Sequence, residues 1–255
     1  MLIRTISVAI GSGLMLAVAA FPASAEGIKN VVIVHGAFAD GSGWRKVSDI
    51  LSAKGYRVSI VQEPETSLAD DVAATRRVLA LQEGPAVLVG HSYGGTVITE
   101  AGRDDKVAAL VYVAAFQPER GETLAALAAS KPVPGADPQA IKATPDGYLY
   151  LDPAIFPAAF AADLPKAEAD FLARSQVFTA KAAFTTAVGE PAWKVKPSWA
   201  IVATQDRSIN PDLEREMAKR AESRVREVES SHAVYLSRPE AVAEVIAEAA
   251  TAPVN

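Results

Sequence analysis

With 255 residues, 50% of them hydrophobic and 22% charged, the chain has the make-up of a globular protein with ample material for a buried core. Its formal net charge of −5 excludes the basic surface that nucleic-acid phosphates require. There is no cysteine, which excludes disulfides, thiolate metal sites and a cysteine nucleophile, and three histidines leave little from which to build a metal centre. Neither a metal nor a cofactor is expected.

The chain opens on Arg4, an apolar run over 7–20, and Phe21-Pro22-Ala23-Ser24-Ala25, which ends in a small-x-small site. This pattern predicts a secretory signal peptide cleaved after Ala25, with periplasmic or extracellular delivery. The run is too short and too glycine-interrupted for a spanning helix, so no stable membrane insertion is expected after cleavage. Residues 31–34 form a β-branched run typical of a buried strand, and the glycine-rich loop from His35 to Trp44 follows it. A helix is predicted from there through Leu51, stopped by Gly55, then a strand over 57–61. Ser67 caps a helix running to about Gln82. Gly84-Pro85 ends it, and an apolar strand over 86–89 leads into Gly90-His91-Ser92-Tyr93-Gly94. A helix to about Gly102 and a strand over 107–114 come next. Strands alternating with helices on short connections predict a mostly parallel sheet of about six strands flanked by helices.

The alternation then fails over 117–196, a stretch rich in alanine and proline that shows helical pieces and no clear strands. A connection of that length predicts a folded insertion, taken here as a helical cap over a core formed by 26–116 and 197–255. Sheet pattern resumes at 198–203 and ends in Thr204-Gln205-Asp206. A helix over 211–221, a strand over 225–228, the loop Ser230-Ser231-His232 and a helix from Pro239 to about Ala250 complete the chain.

Gly90-His91-Ser92-Tyr93-Gly94 between strand and helix is the G-x-S-x-G pattern of a nucleophile elbow, which lifts Ser92 above the sheet. A serine hydroxyl needs a base, and the base needs an orienting acid. Strand-end loops further along supply Asp206 and then His232, in the chain order nucleophile, acid, histidine. His35 and His91 sit inside glycine motifs and are expected to support those loops. Asp212 and Glu214 rival Asp206 but fall inside the predicted helix. The oxyanion formed on attack requires preorganised donors, predicted to be the Tyr93 N–H and the Ala37 N–H, with Phe38 as the alternative one residue on.

Taken together, these residues resemble the α/β-hydrolase superfamily, and within it the plant methylesterases and hydroxynitrile lyases with their bacterial relatives. The resemblance rests on His35-Gly36-Ala37 with Trp44, Gly90-His91-Ser92-Tyr93-Gly94-Gly95, Thr204-Gln205-Asp206 and Ser231-His232-Ala233 followed by Ser237-Arg238-Pro239. It implies a six-stranded parallel core, a cap inserted before the acid-bearing strand and a cofactor-free Ser–His–Asp site. Where the lyases tend to carry threonine, an acidic residue and lysine, this chain has Gly36, His91 and Ala233, the esterase version. The expected activity is that of an exported serine carboxylesterase acting on small hydrophobic esters, with Phe38, Trp44, Phe116 and Trp193 lining the substrate pocket. The alternatives are a C–C lyase using the same triad and a non-catalytic binder of small ligands.

Overall fold

Buried β-branched side chains on both faces set the first strand, β1 (Asn30–Val34), deep inside the molecule, with no residue of the strand exposed. The computed structural model describes residues 27–252, so the predicted signal segment lies outside the described residues. The chain continues through a 3₁₀ turn (Gly41–Trp44), α1 (Arg45–Ala53), β2 (Arg57–Val61), α2 (Leu68–Ala80), β3 (Ala86–Ser92), α3 (Tyr93–Ala101) and β4 (Val107–Ala115). Ser67 caps α2 as predicted, its hydroxyl accepting from the Asp70 N–H at 3.1 Å.

Between β4 and the next sheet strand lie α4 (Leu124–Ser130), β5 (Ile141–Ala143), β6 (Tyr148–Leu151), α5 (Phe156–Phe160), α6 (Lys166–Arg174), β7 (Thr179–Ala180) and α7 (Lys181–Thr185). The chain then returns to the sheet with β8 (Ser198–Ala203), α8 (Pro211–Arg220), β9 (Arg224–Val228), α9 (Val234–Ser237) and α10 (Pro239–Thr251). The expectation of a helical insertion without clear strands is corrected here: besides its helices, β5, β6 and β7 form a three-stranded antiparallel sheet. The strands are only three, four and two residues long, too short to show an alternating pattern. The turn between the first two did carry a local signal. Pro145-Asp146-Gly147 closes with Gly147 N–H donating to Thr144 O at 3.1 Å, and Gly147 sits at φ +90°.

The main sheet runs in the order β2-β1-β3-β4-β8-β9, with every neighbouring pair parallel. Helices α1 and α10 pack on each other, as do α2 and α3, and these pairs cover the sheet. From β1 the chain steps outward to β2 and then crosses back to β3 on the other side of β1. That reversal opens a crevice beyond the C-terminal ends of β1 and β3, where sites form in such sheets. At the far edge β9 leaves Arg224, Arg226 and Glu227 exposed, charges that discourage another strand from pairing there.

Candidate active site

Ser92 ends β3 with φ +52° and ψ −120°, the left-handed backbone expected of a nucleophile elbow and costly for a residue with a side chain. Close packing holds it. A Cβ on Gly90 would lie 2.5 Å from Gly94 O, and one on Gly94 would collide with His35 O. The elbow is thereby wedged between its own helix and the loop after β1. Tyr93 is the first residue of α3, so its N–H belongs to the turn that has no acceptor within the helix. Gly36 lies so near that a Cβ there would be 2.8 Å from both Ser92 Cβ and His91 Nδ1. The two oxyanion loops predicted from sequence therefore converge on Ser92.

His232 follows β9 and is buried. Its Nδ1–H donates to Asp206 Oδ2 at 2.6 Å. The other Asp206 oxygen accepts from the Ser208 N–H at 2.7 Å and the Ile209 N–H at 2.9 Å. Asp206 thus closes the turn before α8 with one oxygen and orients the histidine with the other. Of the rivals, Asp212 is exposed and pairs with Arg215. Glu214 is buried, and burial first, then the neighbouring Asp206 charge, push its carboxyl well above the usual range.

Three partners fix the His232 loop from outside. His91 Nε2–H donates to His232 O at 3.1 Å, and burial, reinforced by His232, holds the His91 imidazole neutral. Phe160 from α5 meets the His232 ring edge-on, with centroids 4.8 Å apart, and its carbonyl accepts from the Ala233 N–H at 2.9 Å. Asp163 accepts hydrogen bonds from both the backbone N–H and the hydroxyl of Ser231.

Ser92 and His232 share one cavity of about 530 Å³. Ala37, Phe38 and Tyr93 line it from the core. Leu124, Val133, Ile141, Leu151, Phe160 and Phe184 line it from the segment between β4 and β8, and Ile209 from the turn after Asp206. Asp137 and Arg207 are the acidic and basic side chains on its wall. Of the predicted pocket residues only Phe38 is on this wall. Trp44, Phe116 and Trp193 are not, and each is buried in packing instead. Trp44 stacks on Tyr235 at 4.7 Å, and Trp193 donates its indole N–H to Pro118 O at 2.9 Å. Large aromatics near glycine or proline served the core here. The helix α4 adds Leu124, Ala128 and Ala129 to the wall, and its Ala/Leu pattern reads in sequence as ordinary helix interior.

Behind the elbow, His35, Glu63 and Glu65 bring possible ligand atoms within 4.8 Å of one another. His35 Nε2 accepts from the Glu63 N–H at 3.1 Å, which puts the ring proton on Nδ1, the nitrogen that faces the carboxyls. A protonated nitrogen has no lone pair for a cation, so this cluster suits protons. Glu63 has both carboxyl oxygens buried without a hydrogen-bond partner. Burial, then the Asp71 and Glu65 charges, push its pKa well above the ordinary carboxyl range. The folded protein therefore keeps a proton on Glu63 that the unfolded chain gives up, and stability falls as pH climbs from the ordinary carboxyl range toward the raised value. Glu63→Gln, the neutral isostere, is expected to match the parent in thermal unfolding near pH 4 and to exceed it by about 1–3 kcal/mol at alkaline pH. Parallel pH curves for the two proteins would count against a neutral Glu63.

The sequence profile of the alpha/beta hydrolase family matches residues 31–245. The chain belongs to that family. It is 29% identical over 258 aligned positions to a pyrethroid hydrolase of Sphingobium wenxiniae, covering 89% of each chain. The crystal structure of a pyrethroid hydrolase from Sphingobium faniae JZ-2 superposes with a TM-score of 0.72 at 25% identity, covering 88% of this chain and 98% of that one. A carbendazim hydrolyzing esterase of Nocardioides sp. is 39% identical over 114 residues, 38% of this chain and 46% of that protein, so the match spans under half of that esterase. The plant likeness expected from the motifs is present in the fold: polyneuridine aldehyde esterase superposes with a TM-score of 0.73 at 16% identity, covering 87% of this chain and 98% of that one.

Proposed function

We propose that the protein is a serine carboxylesterase for uncharged, bulky hydrophobic esters, with Ser92 as nucleophile, His232 as base and Asp206 as orienting acid. The observation that carries this reading is the 2.6 Å His232–Asp206 hydrogen bond, with His232 and a strained Ser92 lining the same largely apolar cavity. Ser92 Oγ attacks the ester carbonyl carbon while His232 Nε2 takes its proton. The carbonyl oxygen gains the negative charge and is met by the N–H groups of Tyr93 and Ala37. Collapse expels the alcohol with the proton from His232 and leaves an acyl-serine. Water, deprotonated by the same histidine, then releases the acid.

A cavity of about 530 Å³ is in the range for a drug-sized ligand, larger than a short alkyl ester fills. Its alanine-lined wall and the aromatic faces of Phe38, Phe160 and Phe184 favour aryl or branched groups, in keeping with relatives named for pyrethroid and carbendazim hydrolysis. Gly36, His91 and Ala233 weigh toward hydrolysis over C–C lysis. Positions 36 and 91 touch, so the threonine of the lyases would crowd both His91 and the nucleophile. Ala233 is buried and puts no cation beside the base. Residues 1–25 act as a signal peptide in this reading, and the exported protein should begin at Glu26 on N-terminal sequencing.

A fluorophosphonate probe is expected to label Ser92 alone, as located by peptide mass spectrometry. Across a panel of p-nitrophenyl and aryl esters, kcat/KM should rise with acyl or alcohol bulk until the cavity is filled. Cyanide release from a cyanohydrin without ester turnover would point to the lyase, and ligand retention without labelling to a binder.

A further inference from the structure

Tyr93 immediately follows the nucleophile, and its side chain ends in a buried polar cluster. Its hydroxyl donates to Asp71 Oδ2 at 2.6 Å. Asp71 stands in the first turn of α2, fully buried, and its other oxygen accepts from the Glu65 N–H at 2.8 Å. Both oxygens of Asp71 are thus acceptors in good hydrogen bonds. Burial raises the Asp71 pKa, while Tyr93 and the Glu65 N–H oppose the rise. Burial and then the Asp71 charge push the Tyr93 phenol far up, so it stays a donor. Glu65 is itself held at φ +52° by bonds on both sides. Its carbonyl accepts from the Ala180 N–H at 2.8 Å, and its carboxyl accepts from the Thr179 hydroxyl.

We propose that Asp71 is a positioning residue for the oxyanion hole: by anchoring the Tyr93 hydroxyl it fixes the residue whose backbone N–H meets the developing charge, and Glu65 ties that anchor to β7. The inference rests on the esterase reading above. Its physical basis is the strain at Ser92. A left-handed backbone at a residue with a side chain relaxes unless its neighbours are held, and relaxation there rotates the Tyr93 peptide away from the oxyanion. The ring of Tyr93 packs on Phe184 at 6.0 Å and is wholly buried, so packing fixes where the ring lies and the Asp71 bond fixes its tip. A fixed donor helps only when charge develops. Loss of the anchor therefore acts on the transition state and leaves ground-state binding in place.

The test compares Tyr93→Phe, Asp71→Ala, their double variant and Asp71→Asn with the parent on one aryl ester. Each of the first two is expected to lower kcat about 10- to 100-fold with KM within about twofold, the scale set by small misplacements of catalytic groups. The double variant should be no worse than the poorer single one, because both remove the same bond. Asp71→Asn should recover most of kcat, since the amide still accepts from Glu65 N–H and can donate to the tyrosine oxygen. Affinity for an alkyl boronic acid, which forms a tetrahedral anionic adduct on Ser92, should fall by the same factor as kcat. Parental kcat in Tyr93→Phe, additive losses in the double variant, or losses in KM alone would each overturn the proposal. Turnover surviving in Ser92→Ala would instead overturn the esterase reading beneath it.

Discussion

Ser92→Ala is expected to lower kcat for an aryl ester by about a million-fold, the scale seen when a triad nucleophile is removed. The variant should also lose all labelling by fluorophosphonate. Alanine keeps the Cβ and so the same left-handed strain at φ +52°, and the glycine contacts that wedge the elbow are untouched. Thermal unfolding should therefore be unchanged, which separates lost chemistry from lost fold. Saturation kinetics on purified protein, with the melting temperature measured alongside, decide it. Appreciable turnover in this variant would remove Ser92 from the chemistry and the esterase reading with it.

Asp206→Asn should lower kcat about ten-thousand-fold. The asparagine oxygen can keep accepting from Ser208 and Ile209, which preserves the turn before α8. The amide nitrogen then faces His232 Nδ1, in the place of the oxygen 2.6 Å away in the parent. A donor there makes Nδ1 the acceptor and moves the ring proton to Nε2, the atom that must take the proton from serine. The His232 ring keeps its edge contact with Phe160, and the His232 carbonyl keeps accepting from His91 Nε2–H, so the geometry survives while the tautomer is wrong. Hydrophobic ligands should bind as before. A binder would be indifferent to this substitution, so a parental rate or an equal loss of ligand affinity would contradict the assignment of Asp206.

Much of the core was legible because parallel strands buried on both faces leave continuous apolar runs. Val31 to Val34 and Val87 to Val89 identify themselves, and the glycines after them mark where backbone meets backbone. The elbow, Asp206 and His232 were readable for the same reason: each sits just past such a strand, where the topology gathers side chains. The insertion was harder. Its short strands leave little periodicity, and only the Pro145-Asp146-Gly147 turn announced a hairpin. Trp44, Phe116 and Trp193 were misjudged because aromatic content says nothing of direction. Trp44 and Phe38 lie in one loop, yet Trp44 turns into the core to stack on Tyr235 while Phe38, at φ +65°, faces the cavity.

The sequence by itself determined which strand ends carry Ser92, Asp206 and His232, since an elbow and two later strand ends have few ways to be arranged on a parallel sheet. Only the tertiary structure decided what surrounds those residues. It brought Leu124, Phe160 and Phe184 over the site from a segment whose pattern points nowhere in particular. It also brought Glu63 and Glu65 of the β2–α2 connection and Asp71 of the first turn of α2 into one buried cluster behind Tyr93, where Asp71 accepts hydrogen bonds from both the Glu65 N–H and the Tyr93 hydroxyl. Contacts of that kind depend on how helices and loops dock. Local periodicity carries no record of docking.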